Sequence, residues 1–179
     1  MSRVQVDVYE LARLGQTRRG EVSSGDLLRL QALCVAPDAR GAGWMDPRVQ
    51  YEWRGFVDAQ GRPAADVRLK THVPLSCTHC DQTVAVDLDV RRRYYFVADE
   101  QTLQAIEVDI QDVEPLVGGK HFDLHALIED ELILALPIAA RHEACQRRID
   151  SSGPLAQPDE PKPSSAFAVL ASLKAGLRK

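Results

Sequence analysis

The sequence predicts an α+β domain in which an antiparallel β-sheet is covered by a helix that follows it along the chain. Three runs of alternating apolar residues indicate neighbouring strands, and turn-forming segments separate them. A later run with apolar residues at helical spacing ends at Pro137. The chain has 179 residues, 45% hydrophobic and 27% charged, which fits one folded domain with an appendage.

The N-terminal part is predicted to hold extended segments and one helix. Apolar residues alternate near the start, and residues 1–22 are expected to be mostly extended or loop. Ser23 or Ser24 is expected to cap a helix near residues 25–35, whose apolar face is formed by leucines. Cys34 is interpreted as a small buried hydrophobe rather than a metal ligand.

The central part is predicted to form the sheet. Its alternating runs are residues 49–53, 67–75 and 84–90. Gly55 is interpreted as a bulge. The segment Cys77-Thr78-His79-Cys80 is predicted to be a turn between two strands, because alternation resumes directly after it.

The helix after the sheet has clear predicted ends. Asp123 is the expected N-cap of a helix over residues 124–136, and Pro137 stops it. Its apolar stripe comprises Leu124, Leu127, Ile128, Leu132 and Ala135, widened by Ile133, Leu134 and Leu136. Glu129, Asp130 and Glu131 diverge around a helix, so they are predicted to form a solvated face rather than a catalytic pair.

The C-terminal part changes composition. Residues 150–165 are rich in Pro, Ser, Asp and Glu and are predicted to be a linker after a core domain of residues 1–149. Residues 166–179 have apolar spacing and a basic end, which predicts a short helix that docks onto a partner. Its expected docking residues are Phe167, Leu170, Leu173 and Lys174.

Composition narrows the classes of function. The net charge of −4 argues against a protein that coats nucleic acid, although it allows a local basic patch. We find neither an apolar membrane span nor a signal-like start, so we expect a cytoplasmic protein without a membrane partner. Gly118-Gly119-Lys120 lacks the glycine spacing of a nucleotide-binding loop, and no small-molecule substrate is evident.

The cysteines and one histidine predict a structural zinc site made by Cys77, Cys80, His142 and Cys145. A cysteine pair spaced by two residues at a strand turn is a usual half-site, and the second pair has the same spacing. His79 is the competing fourth ligand, but its place between two ligands would strain the coordination. Unrelated reduced thiols, or a redox-active pair, remain alternatives.

A basic and aromatic segment predicts contact with ribonucleic acid. The candidate residues are Arg91, Arg92, Arg93 and Tyr95, a mixture that can contact phosphates and stack on bases. Strand alternation would divide these charges between two faces, and the aromatic residues would then complete the core.

Three segments of the chain resemble the YceD family. They are residues 122–137 (FDLHALIEDELILALP), the pair Cys77 and Cys80 closing a strand, and residues 167–174 (FAVLASLK). The chain departs from the family in having Ser165-Ala166 where Asn-Pro usually precedes the terminal Phe.

The resemblance implies a non-enzymatic factor needed for accumulation or processing of the large-subunit (23S) ribosomal RNA. We expect it to bind the precursor of the large subunit through ribosomal RNA, a ribosomal protein, or both. Two alternatives are a thiol oxidoreductase that uses Cys77 and Cys80, and a purely protein-binding adaptor.

Overall fold

A computed structural model describes residues 4–35, 48–106 and 113–145. All of them belong to one compact unit, Met1–Arg147. The predicted linker and the predicted docking helix, with Phe167, Leu170, Leu173 and Lys174, lie outside the described residues. In the described ranges no helix is both long and apolar enough to span a membrane.

The described chain alternates short helices with long strands. In order, the elements are β1 (Gln5–Val6), α1 (Val8–Arg13), β2 (Thr17–Ser23), a 3-10 turn (Ser24–Asp26), α2 (Leu28–Leu33), β3 (Arg48–Val57), β4 (Pro63–Ser76), β5 (Thr83–Val97), α3 (Glu100–Gln104), β6 (Val113–Val117), β7 (Phe122–Asp123) and α4 (Leu124–Ala135).

The main sheet has five strands in the order β2-β3-β4-β5-β6, and its first four strands are antiparallel neighbours. This part of the predicted sheet is confirmed. The sheet as a whole is mixed, because β6, which was not predicted, lies parallel to β5. Parallel neighbours need a crossover connection, and the segment that contains α3 is part of it.

The N-terminal segment differs from its prediction because it contains α1. The Asp7 carboxylate accepts hydrogen bonds from the N–H groups of Tyr9 and Glu10 and so caps this helix. Gly55 faces α1, and a Cβ there would lie 2.5 Å from the carbonyl oxygen of Leu11. Pairing continues through Gly55 opposite Ala65, so the glycine allows a close helix approach and does not form the predicted bulge.

Helix α4 begins at the predicted residue and ends at Ala135, one residue before the predicted end. The Asp123 carboxylate accepts a hydrogen bond from the N–H of Ala126, and Leu136 is already extended before Pro137. The buried stripe is confirmed at Leu124, Leu127, Ile128 and Leu132. Leu134, predicted to widen that stripe, is 74% exposed.

One face of the sheet packs against the helices and forms the core. Trp53, Leu69 and Tyr94 are fully buried there with Leu30 of α2 and Ile128 of α4. We call this the inner face and its opposite the outer face. Since side chains alternate along a strand, every charged residue of β2 to β5 is assigned to one of these faces.

Candidate metal centre and charged residues

The first half of the candidate metal centre is the turn between β4 and β5. The N–H of Cys77 donates to the carbonyl of Gln82 at 2.8 Å, and the N–H of Asp81 donates to the carbonyl of Cys77 at 2.9 Å. These bonds fold residues 78–80 into a tight turn that places Cys77 and Cys80 on the same side. Asp81 has φ 57°, a left-handed conformation that such a turn requires.

The second half is the segment that follows α4. The N–H of Thr78 donates to the carbonyl of Ala140 at 2.9 Å, and Ala140 is buried. The imidazole Nε2 of His142 lies 3.1 Å from the carbonyl oxygen of Thr83. The segment is therefore attached to both sides of the turn, which brings His142 and Cys145 to the two other cysteines.

The four predicted ligands do come together. The Sγ atoms of Cys77 and Cys145 are 3.7 Å apart, and the Sγ of Cys80 lies 3.6 Å from Nδ1 of His142. All four ligand atoms lie within 4.8 Å of one another. With zinc–sulfur distances of about 2.3 Å and zinc–nitrogen distances of about 2.0 Å, tetrahedral coordination requires sulfur–sulfur edges of about 3.8 Å and sulfur–nitrogen edges of about 3.5 Å. This Cys3His cluster can therefore hold a metal ion of that size.

The protonation chemistry of the cluster agrees with metal coordination. A carbonyl oxygen accepts only from a protonated nitrogen, so the contact with Thr83 fixes the proton of His142 on Nε2 and leaves the Nδ1 lone pair toward Cys80. A ligating histidine is held in this way in metal proteins.

Backbone donors also act on the first cysteine. Burial is the largest influence on the pKa of Cys77 and raises it, but N–H groups of His79, His142 and Cys80 together outweigh burial and lower the pKa to about 5. Burial, and then the Cys80 and Cys77 sulfurs, raise the pKa of Cys145 to about 12. The cluster therefore stabilises one thiolate by itself. Three thiolates so close together repel one another and need a bound cation.

Two other residues considered as ligands lie outside the cluster. His79 is exposed in the turn, so the competing assignment of the fourth ligand is not supported by its position. Cys34 packs at the edge of the core, where burial raises its pKa.

The predicted RNA-contacting residues are divided between the two faces of β5. Arg91 and Arg93 lie on the outer face, and Arg93 binds Asp66 at 2.6 Å. Arg92 lies on the inner face, with its Nε 3.1 Å from a Glu131 oxygen. Tyr95 is 7% exposed.

Arg62 explains the burial of Tyr95. Its guanidinium carbon lies 3.8 Å from the centre of the Tyr95 ring, in a cation–π contact. In this conformation the Tyr95 ring has no free face for a base.

The prediction that Glu129 and Glu131 are solvated is wrong, because both are buried. One Glu129 oxygen accepts the backbone N–H groups of Arg29 and Leu30 at 2.6 and 3.2 Å, and the other binds the Arg29 side chain at 2.8 Å. Leu27, the N-cap residue of α2, provides no side-chain cap. Glu129 therefore supplies the cap from another helix.

The fold and the site define a small α+β protein with a candidate structural metal centre. The model of the family described as "Large ribosomal RNA subunit accumulation protein YceD" matches residues 65–174, a range that contains all four members of the cluster. A curated relative of that name from Haemophilus influenzae is 30% identical over 122 residues, which cover 66% of this chain and 70% of the relative. The chain belongs to the YceD family. No solved structure matches the chain significantly.

Proposed function

We propose that this protein is a non-catalytic cytoplasmic factor that supports accumulation of the large-subunit (23S) ribosomal RNA by binding that RNA, a ribosomal protein, or both, on the maturing particle. The observation that carries the proposal is the family match across residues 65–174, together with the name of the relative. The two buried carboxylates of α4, Glu129 and Glu131, each bind an arginine of the same chain.

Depletion in the organism that carries this chain tests the proposal. We expect the 23S RNA to fall relative to the 16S RNA and free large subunits to decrease, as measured by RNA gel quantification and sucrose gradients. Re-expression of the chain should restore both ratios. Unchanged ratios in depleted cells would show that the protein does not serve the large subunit.

The Cys3His cluster is proposed to bind one structural zinc ion through Cys77, Cys80, His142 and Cys145. Three sulfurs and one nitrogen form a donor set typical of structural zinc, and they leave no ligand position for a substrate. When bound, the ion would neutralise the thiolates and hold the segment after α4 against the β4–β5 turn. Zinc is therefore expected to contribute to folding rather than to a reaction.

The chain offers a matched control for this site. Protein purified without chelator should contain about one zinc per chain, and Cys77→Ser should lose the metal and melt at a lower temperature. Cys34→Ser makes the same chemical change outside the cluster and should keep the metal. Zinc-free protein whose melting temperature is insensitive to chelator would contradict the site.

A thiol oxidoreductase is the competing function, and the low pKa of Cys77 is compatible with it. The burial of Cys77 argues against it, because an attacking thiolate must reach a disulfide of another molecule. Rapid alkylation of Cys77 in the native protein would favour the oxidoreductase. Protection of Cys77 until chelator is added would favour the metal site.

The C-terminal segment 166–179 is retained as a proposed docking element. Replacing Phe167, Leu170 and Leu173 with Ala should weaken recovery of ribosomal partners while the melting temperature of the core stays unchanged. Equal recovery by the variant and the wild type would remove the docking role.

A further inference from the structure

The outer face of the main sheet carries a concentration of arginine that the net charge of the chain conceals. Directly opposed residues across β2, β3, β4 and β5 form one row of Arg19, Glu52, Arg68 and Arg91. The next row contains Arg54, Asp66 and Arg93. We call these two rows the arginine patch.

The arginine patch has a local excess of positive charge. Its five arginines have three carboxylates beside them, Glu52, Asp66 and Asp89, a net of 5 − 3 = +2, whereas the whole chain has a net charge of −4. The remainder of the molecule is correspondingly acidic. A polyanion is therefore attracted to this face more strongly than the net charge of the chain suggests.

One pairing in the patch opposes folding. Arg68 and Arg91 are direct cross-strand partners, and like charges in that position destabilise a sheet. Asp89 is paired with Lys70 in a third row, on the other side of the Arg68–Arg91 row. It offsets the repulsion by binding Arg68 at 2.7 Å and approaching Arg91 at 3.7 Å. The two arginines therefore lie side by side with one exposed carboxylate between them.

Four of the five arginines have exposed side chains, whereas Arg68 is half-buried and donates two hydrogen bonds to Asp89. The side chains of Arg19, Arg91 and Arg93 are 72%, 69% and 53% exposed. Arg54 is exposed and makes no close ion pair with any residue in the described ranges. Exposed ion pairs contribute little to stability, so exchanging Glu52 or Asp66 for a phosphate costs little.

The geometry of the patch suits a phosphate backbone. Side chains on one face of a sheet repeat at about 4.8 Å across strands and about 6.8 Å along them, so the guanidinium groups form a regular array on a rigid support. A guanidinium donates two parallel hydrogen bonds to a phosphate, which is why arginine is favoured for such contacts. On the same face, Arg62 covers the Tyr95 ring and Arg93 lies 5.3 Å from the centre of the half-buried Phe56 ring.

We propose that the arginine patch binds the phosphate backbone of ribosomal RNA without reading its sequence. The inference rests on the proposed function, and it adds Arg19, Arg54 and Arg68 to the contact set. Arg92 is left out because it points to the inner face and binds Glu131. The contact is electrostatic, so it weakens steeply with salt.

The test measures binding of the full-length protein to a fluorescent transcript of a 23S RNA fragment over a range of salt concentrations. Arg54→Glu with Arg91→Glu should lower affinity by about tenfold or more and reduce the slope of log affinity against log salt by about 1 to 2. Arg13→Glu with Arg18→Glu makes the same charge change at exposed positions outside the patch and should bind within about twofold of wild type.

A second variant protects the test from unfolding artefacts. Asp89→Asn releases Arg68 and Arg91 from their carboxylate, so it should raise RNA affinity by about two- to fivefold. An unfolded chain would lose the ordered rows of arginine, so we do not expect damage to the fold to raise the affinity. A 16S fragment of equal length should compete equally, because the contact is to the backbone.

Several results would overturn the patch. The first is an Arg54→Glu/Arg91→Glu variant that binds RNA as tightly as the wild type. The second is an Asp89→Asn variant that binds RNA more weakly. The third is a wild type that binds no RNA while an acidic protein binds the same face. If the wild type binds no RNA but depletion still lowers 23S RNA, the patch fails and the proposed function stands. If the patch variants behave as expected but depletion leaves 23S RNA unchanged, the surface stands and the proposed function fails.

Discussion

Both faces of the main sheet contain ion pairs between arginine and a carboxylate, but the surroundings of these pairs differ. On the inner face, Arg92 binds Glu131, whose side chain is 5% exposed. On the outer face, Arg68 binds Asp89, whose side chain is 44% exposed. Buried carboxylates need their partners because an unpaired buried charge is costly, whereas exposed carboxylates have water as an alternative. The arginines of the two faces therefore have different roles.

The largest expected difference concerns Glu129 and its neighbour Asp130. Glu129→Ala removes the cap of α2 and leaves the N–H groups of Arg29 and Leu30 without their acceptor. We expect it to lower the free energy of unfolding by about 2–4 kcal/mol in chemical denaturation.

Asp130→Ala is the matched control, because Asp130 also binds Arg29 but is exposed. We expect a far smaller loss for this variant. Equal losses for the two variants would mean that the contact with Arg29, rather than burial and capping, sets the importance of Glu129.

The next prediction compares two adjacent residues of β5. Arg92→Met keeps an apolar stem but leaves the buried Glu131 carboxylate without its cation. We expect a loss of about 1–3 kcal/mol in the free energy of unfolding and unchanged RNA affinity.

Arg93→Met should show the reverse pattern, with a smaller loss of stability and weaker RNA binding, because Asp66 remains solvated. The same denaturation and RNA-binding measurements apply to both variants. A stability loss at Arg93 as large as that at Arg92 would remove the distinction between the faces.

Local chemistry made much of this architecture predictable. Asp123 could be identified as an N-cap and Pro137 as a stop from neighbouring residues alone, and the structure places both at the ends of α4. The Cys3His set was predictable because two pairs of equal spacing have a known use. That the pairs converge depends on the contact between Thr78 and Ala140, which no spacing reveals.

Long-range partners account for the features that the sequence did not predict. Glu129 is buried because α2, 100 residues away in sequence, needs an acceptor for its first N–H groups. Strand β6 pairs in parallel because of a crossover, and periodicity within a strand does not report its direction. Helix α1 was not predicted because the alternation of Val4, Val6 and Val8 was interpreted as a strand. In the structure the strand ends at Val6, and Val8 is the first residue of a helix capped by Asp7.

The smallest expected effect sharpens the description of the outer face. The hydrogen bond from Arg68 is the main reason that the pKa of Asp89 is lowered to about 2 from 3.8. A lowered carboxyl pKa contributes stability that is present above the unfolded pKa and disappears as pH falls through the folded pKa. Asp89→Asn should therefore have a slightly lower melting temperature than wild type near neutral pH, and the difference should vanish as pH falls from about 4 to about 2. Because Asp89 is exposed, added salt should also reduce the difference. A large difference that persists below pH 2 and in high salt would show that Asp89 supports the sheet by packing, and the outer face would then not be the solvated, exchangeable charge surface that RNA binding requires.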